Sequence, residues 1–591
     1  MKGKPINIAA KSRLYELLTK VYSRRKAQAI NERILEAVAR FKQESSQVLN
    51  ARHKSTISEK DVVLITYGDF IKQEGQTPLQ ALAAFLEKHL KDQISIVHIL
   101  PFFPYSSDDG FSVIDYRSVN PDLGSWEDIK DLTENFRLMF DAVINHVSRQ
   151  SDWFTRFLAG DEDFQDYFIT QADKWDLSNV VRPRTSPLLT EVQTANGPVK
   201  VWTAFSADQI DLNYANPDVF MEIVELLLFY IQQGASVIRL DAIAYLWKES
   251  GTTCIHLPQT HRLVKVIRLI LDLVAPHVIL ITETNVPHDE NINYFGNIDQ
   301  ETGETDEAHM VYQFPLAPLT LHTLMAGNTK KINDWVDSLD GSGMFLNFIA
   351  SHDGIGVMPA IGLIDQEEID AIIAQVKAHG GLVSHKSNPD GSEAVYELNV
   401  TLYDALNDPQ KPNPPLDSAR FIASQIIMIS LAGVPGIYFH SLLGSHNALA
   451  YYQETGRERS INRKGFTLGE LEQIFSDPDN VHHQVFDQYK RLLAIRTKES
   501  AFHPYGMQKV VRVSDEVFGL ERHSPDGVSK VLVLLNVTAD DNEFTVDLGQ
   551  TDLGEVSRFG DLIGGGEFES QQSALDVVLR PYQALWLKAL D

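Results

Sequence analysis

Eight short, nearly continuous apolar runs punctuate the chain, each followed by a longer stretch with helical spacing of apolar and polar residues. They are Val62–Thr66, Ile96–Leu100, Met139–Asn145, Ser236–Leu240, Val278–Thr282, Val311–Phe314, Leu346–Ala350 and Gly433–Phe439. Strands apolar on both faces suit a parallel sheet covered by helices on each side. Strands alternating with helices imply βαβ units, and eight of them predict an α/β fold, a (β/α)8 TIM barrel. A doubly wound open sheet would give a similar pattern.

Residues 1–58 mix charged and apolar positions at helical spacing and read as an N-terminal helical extension. The barrel is expected over 59–147, 216–353 and 421–504. Two connections are too long for ordinary loops, and 148–215 and 354–420 read as insertion subdomains after strands 3 and 7. After residue 505 the pattern changes to strands separated by turns, as in VVRVSDEVFGLERH, SKVLVLLNVT and NEFTVDL, so 505–591 is expected to be an antiparallel β-domain.

Composition narrows the function. With 52 Lys+Arg against 80 Asp+Glu in 591 residues, the net charge is −28. Such a surface repels a phosphate backbone, so no nucleic-acid partner is expected. The longest apolar run, Ile223–Ile231, is about half of what spans a bilayer and reads as a buried helix, so no membrane partner is expected either. Cys254 is the single cysteine, and the N-terminus lacks an apolar signal region. Both point to a cytoplasmic protein, expected as a monomer or homodimer.

Chemistry concentrates where the strands end. The third run closes in Asp141-Ala-Val-Ile-Asn145-His146, the fourth in Arg239-Leu-Asp241, the fifth in Thr282-Glu283-Thr284 and the seventh in Ser351-His352-Asp353. Carboxylates at the C-terminal ends of barrel strands read as catalytic. Taken singly, Arg239-x-Asp241 is more simply a strand-end ion pair. Three such acids with two histidines, from separate strands, fit glycoside chemistry, in which one carboxylate attacks the anomeric carbon and another protonates the leaving oxygen. Beside Arg239, Asp241 should stay ionised as the nucleophile. Glu283, facing that negative charge, should be raised in pKa as acid/base. A metal site is the competing reading of the same residue types, but no compact ligand motif such as HExxH or DxDxDG is present, and none is expected.

In this order the segments DAVINH, GASVIRLDA, ILITET and FIASHDG resemble the four signature regions of the α-amylase family of glycoside hydrolases. The resemblance implies Asp241 as nucleophile, Glu283 as acid/base and Asp353 as transition-state stabiliser, with His146, Arg239 and His352 lining a glucose pocket. More narrowly, HILPFFPYSSDDGFSVIDYR, RLDAIAYLWKESGTTCIHLPQTH and SHDGIGV are similar to the sucrose phosphorylase subgroup, and HMVYQF, NPDG and SINRK to its glucosylglycerate and glucosylglycerol branches. That subgroup implies a double displacement through a β-glucosyl-enzyme, with inorganic phosphate as co-substrate and no cofactor. It also implies Asp108 and Phe111 at the glucose pocket, Gln209 and Tyr245 on the acceptor side, Arg184 as an acceptor-loop arginine and Arg459 as a donor-pocket arginine. Arg182, Arg457 and Arg463 are further cations available to a dianion.

Tyr396 and Glu397 fall where sucrose-specific relatives carry Tyr-Gln. A carboxylate there accepts the vicinal hydroxyls of a polyol and repels glycerate unless a cation intervenes. Asp390 and Glu393 add acid nearby, with only Lys386 to oppose them. The expected reaction is therefore 2-O-α-glucosylglycerol + phosphate ⇌ α-D-glucose 1-phosphate + glycerol. Glucosylglycerate and sucrose are the alternative glucosides; an α-glucoside hydrolase or transglucosylase, or a non-catalytic amylase-like binding protein, are the alternative classes.

Overall fold

Residues 8–45, 57–299, 303–339, 341, 343–387 and 392–590 are described by a computed structural model of the chain. Asp390 and the NPDG segment around it lie outside them. Each apolar run overlaps a strand: β1 (Val63–Thr66), β2 (Ile96–Ile99), β3 (Arg137–Ala142), β4 (Ala235–Leu240), β5 (Ile279–Thr282), β6 (Met310–Tyr312), β7 (Met344–Asn347) and β8 (Val434–Tyr438). All eight are parallel and pair in chain order. The register Val63↔Gly436, Leu64↔Ile437 and Ile65↔Tyr438 joins β1 to β8, which closes the barrel and removes the open-sheet alternative. Nearly every strand residue is buried, as a sheet between side chains within and helices outside requires.

Two strands end three residues earlier than their apolar runs predict. β3 stops at Ala142 and β7 at Asn347, although Val143, Ile144, Phe348 and Ile349 are buried. There the chain leaves the ladder while still packed, and the next polar residues turn over the barrel mouth.

The Ile223–Ile231 run lies in the helix Pro217–Gln233. Asn216 caps this helix by accepting from Asp218 N, Pro217 starts it, and Gly234 in the left-handed region (φ 112°) ends it directly before β4. Its apolar side chains are buried on the barrel, each worth about 1.5–3 kcal/mol. Among the described residues no helix is long and apolar enough to cross a membrane.

At the N-terminus α1 (Ile8–Thr19) and α2 (Arg24–Glu44) form a hairpin on the outer helices Pro217–Gln233 and Pro258–Val274. Leu14, Leu18, Ile30, Ile34 and Val38 bury its inner face, and Arg33–Asp218 and Arg40–Glu225 ion pairs rim it.

Between β3 and β4 the chain forms the strand pair His146–Ser148 with Gln209–Asp211 and the hairpin Leu189–Thr194/Gly197–Trp202. A small core around Ile169, Trp202 and Cys254 supports them. After β7, the strand Glu393–Asn399 lies between Ile355–Gly356 and Leu382–Ser387. Beyond residue 505 a six-stranded antiparallel sheet and a two-stranded ladder enclose a second core that includes Val517, Leu532, Leu534 and Leu587.

Candidate active site

Thirteen of the fourteen expected side chains line one cleft at the C-terminal ends of the strands: Asp108, Phe111, His146, Arg184, Gln209, Asp241, Tyr245, Glu283, His352, Asp353, Tyr396, Glu397 and Arg459. The fourteenth, Arg239, is buried beneath it. Its Nη1 donates to Asp141 Oδ1 (2.5 Å) and Asp241 Oδ1 (2.7 Å), and its Nη2 lies 3.8 Å from Glu283 Oε2. One guanidinium thus holds the acids that end β3, β4 and β5. Behind it His98 of β2, wholly buried, bonds Asp141 at 2.7 Å. Burial would raise the Asp141 pKa, but His98 and Arg239 outweigh it and hold the carboxyl at about 2.

Strand geometry explains the aim of these groups. Arg239 and Asp241 are two residues apart, so both point inward. Immediately afterwards Ala242 takes a left-handed φ of 49°, a conformation that costs a non-glycine residue about 1–3 kcal/mol. This turns the Ala242 N–H onto Glu283 Oε2 at 3.1 Å.

The two acids differ in their protonation. Burial first, then the charges of Asp241 and Asp353, push Glu283 up to about 7 against the pull of Arg239. Asp241 was expected to be held down by Arg239; burial instead raises it, with Arg239 opposing. Arg239 bonds Asp241 directly (2.7 Å) and stands 3.8 Å from Glu283, which favours the charged form of Asp241 and the protonated form of Glu283. Burial also penalises Asp353, but the guanidinium charges of Arg459 and Arg463 outweigh it and hold that carboxyl well below the usual range. His352 is kept neutral by burial.

The opposite wall comes from the loop after β2. Asp108 and Asp109 both have positive φ (54° and 48°), and this bend puts them on different tasks. Asp108 Oδ2 accepts from Gln209 Nε2 (3.3 Å), whereas Asp109 accepts from Arg457 and from Arg463 (2.8 Å). His146 Nε2 lies 2.9 Å from the Phe111 carbonyl and 3.2 Å from Gln209 Nε2. Phe111 stacks parallel to His352 at 5.0 Å, so one face of this aromatic platform is occupied by the histidine.

The greatest departure from expectation is at Glu397. It is buried, and Arg459 grips it through Nη2 (2.7 and 2.9 Å) and Nε (3.2 Å) while Nη1 lies 2.5 Å from Asp353 Oδ1. Both oxygens are engaged and a guanidinium opposes the charge, so Glu397 is not the free carboxylate that the sequence suggested. The cation that the sequence reading required before glycerate could be tolerated is present. Arg184 lies over Tyr396 (5.3 Å) and Phe205 (6.0 Å) and donates to the Pro183 carbonyl (3.2 Å); among the described residues it has no carboxylate partner. Of the other cations, Arg182 bonds the Ser186 carbonyl and Arg457 and Arg463 hold Asp109. Exposed Glu393 is in the hairpin strand opposite Ser387, and part-buried Lys386 is opposite Ala394.

Sequence reasoning missed several participants. Phe205 and Asn285 line the cleft, and His98 supports Asp141. Phe205 carried no signal in a long insertion; His98 did, as the one polar residue of an apolar strand.

Comparison with known proteins follows the same lines. Residues 88–376 match the family described as alpha amylase, catalytic domain. The chain is 48% identical over 540 residues to a glucosylglycerate phosphorylase from Spirochaeta thermophila, covering 90% of each chain. It is 29% identical over 457 residues to a glucosylglycerol phosphorylase from Marinobacter adhaerens, covering 75% of this chain and 88% of that one. Among solved structures, sucrose 6F-phosphate phosphorylase from Thermoanaerobacter thermosaccharolyticum superposes with a TM-score of 0.70 at 26% identity, covering 81% and 94% of the two chains.

Proposed function

The chain belongs to the α-amylase family, in its sucrose phosphorylase subgroup, and from that premise we propose that it is a retaining glucoside phosphorylase acting on 2-O-α-glucosylglycerate. Phosphate converts this glucoside to α-D-glucose 1-phosphate and glycerate. The neutral-acceptor expectation gives way to the anionic one. The observation that carries this reading is the pair of arginines: Arg459 pairs with Glu397, and Arg184 lines the cleft with no carboxylate partner among the described residues. The greater identity to a glucosylglycerate phosphorylase than to a glucosylglycerol phosphorylase points the same way.

In the proposed mechanism Asp241 attacks the anomeric carbon while Glu283 gives its proton to the departing glycerate oxygen. A β-glucosyl-enzyme forms. Phosphate then attacks from the face the alcohol left, Glu283 now relieving it of a proton, and the α configuration is restored. Asp353, kept ionised by Arg459, stabilises the oxocarbenium-like charge and holds ring hydroxyls. Asp108, His146, Arg239 and His352 shape the glucose pocket, and Phe111 packs against the sugar. Arg184, Tyr245, Gln209 and Tyr396 bound the acceptor side. Arg184 meets the glycerate carboxylate in one half-reaction and phosphate in the other, which lets a dianion approach a cleft rich in acids. No metal or cofactor enters the proposed chemistry; phosphate is a co-substrate. A cytoplasmic enzyme would have both phosphate and glucose 1-phosphate at hand.

Phosphate release from α-glucose 1-phosphate, with D-glycerate, glycerol, fructose or water alone, tests the reading. Fastest release with D-glycerate is expected. Preference for glycerol would restore the neutral acceptor, and equal release in water with free glucose accumulating would make the protein a hydrolase.

A further inference from the structure

We propose that Tyr22, in the turn between α1 and α2, is a positioning residue for the acceptor side of the cleft, so that the N-terminal hairpin works as a back-brace for the pocket wall. The inference rests on the assignment of Tyr245 to the acceptor side. Tyr22 is buried although it sits in a surface turn. Its hydroxyl donates to the Tyr214 carbonyl (2.9 Å), and its ring meets Trp247 edge-on at 6.4 Å. Arg262 closes the same turn by donating to the Lys20 carbonyl (2.8 Å).

Trp247 separates two residues that face the cleft region. Tyr245 lines the cleft itself, with its ring edge-on to Phe205 at 5.4 Å. Lys248 is buried and bonds Asp211 (2.7 Å) and Asn145 (2.8 Å). Asp211 in turn accepts from Ala204 N (2.8 Å), which fixes Phe205 against Tyr245. The path from Tyr22 to the acceptor wall is therefore continuous: Trp247, then Tyr245 and Lys248, then Phe205. On the glucose side His146 meets the same network through Asn145 Nδ2 (3.2 Å) and the Phe205 ring (5.2 Å), but its Nε2 is also held by the Phe111 carbonyl (2.9 Å), an anchor outside the path.

Tyr22→Ala and Tyr22→Phe in the full chain test this through two readouts. The first is the KM for acceptor against the KM for α-glucose 1-phosphate. The alanine variant should raise acceptor KM about tenfold while glucose 1-phosphate KM stays within about twofold, a small misplacement of a positioning group being enough for such a loss. The phenylalanine variant keeps the ring contact and should lose about threefold. The second readout is hydrogen exchange, expected to quicken in residues 243–250 and not in β4. Equal change in both KM values together with a lower Tm would reduce Tyr22 to a structural residue and overturn the proposal. Unchanged protection of 243–250 would overturn it whatever the activity. A wild type that uses an acceptor other than glycerate sinks the substrate assignment alone; the variants are then compared on that acceptor. If the alanine variant does not fold, the phenylalanine variant decides.

Discussion

Arg239 lies between Asp241 and Glu283, so the two acids answer to one positive charge and differ through burial and their other neighbours. Raised to about 7, Glu283 carries the proton that the leaving alcohol needs only below that pH. The kcat/KM for phosphorolysis should fall about tenfold per pH unit above 7, and Glu283→Gln should lower kcat by about 10²–10⁴ and flatten that limb. A pH–rate profile without an alkaline limb near 7 would take the acid role from Glu283. On the acceptor side, replacing Arg184 by Gln removes a charge-assisted hydrogen bond worth about 1.5–3 kcal/mol, a KM increase of roughly ten- to hundredfold for glycerate. Glycerol should be spared. If steady-state kinetics show both acceptors weakened alike, Arg184 does not read the carboxylate. Glu397→Gln, by contrast, should lower turnover with every acceptor and leave their ratio unchanged, because its contact is Arg459 and not the substrate.

The hairpin after β7 approaches the strand ends so closely that only glycine fits beneath it. A Cβ on Gly354 would sit 2.8 Å from Glu397 Cβ, and one on Gly356 would sit 2.8 Å from Asn285 Oδ1. Gly354→Ala should cost about 1–3 kcal/mol and push Glu397 away from Arg459. Thermal melts and acceptor KM should both register it; an unchanged Tm with full activity would mean that the hairpin retreats freely. At this scale the sequence is most legible where burial is two-sided, and least legible where partners are remote in the chain. All eight apolar runs overlap barrel strands, because a short, continuous apolar stretch suits a strand covered on both faces. Their C-terminal limits shift where buried chain continues past the ladder, as at Val143 and Phe348. Asp241, Glu283 and Asp353 stand out because a strand end is a poor place for an acid without a function. The state of Glu397 does not, since its partner lies 62 residues away and only the fold brings Arg459 to it.

For the molecule as a whole, the His98–Asp141–Arg239 cluster links catalysis to acid stability. The folded Asp141 pKa of about 2 lies below the roughly 3.9 of an unfolded chain, so its stabilisation is fully present above about 4 and is lost as pH falls towards 2. Urea denaturation should therefore show about 2–3 kcal/mol disappearing through this window from this group alone. Constant stability between pH 4 and 2 would contradict the buried pair. The same economy of charge governs Arg459, whose single guanidinium holds Asp353 on one side and Glu397 on the other. A lineage moving towards a new acceptor cannot exchange Glu397 without disturbing the acid that stabilises the transition state. Neutral drift at that position is closed unless Arg459 or Asp353's other neighbours change first, so specificity in this branch should shift through ordered pairs of substitutions rather than single steps.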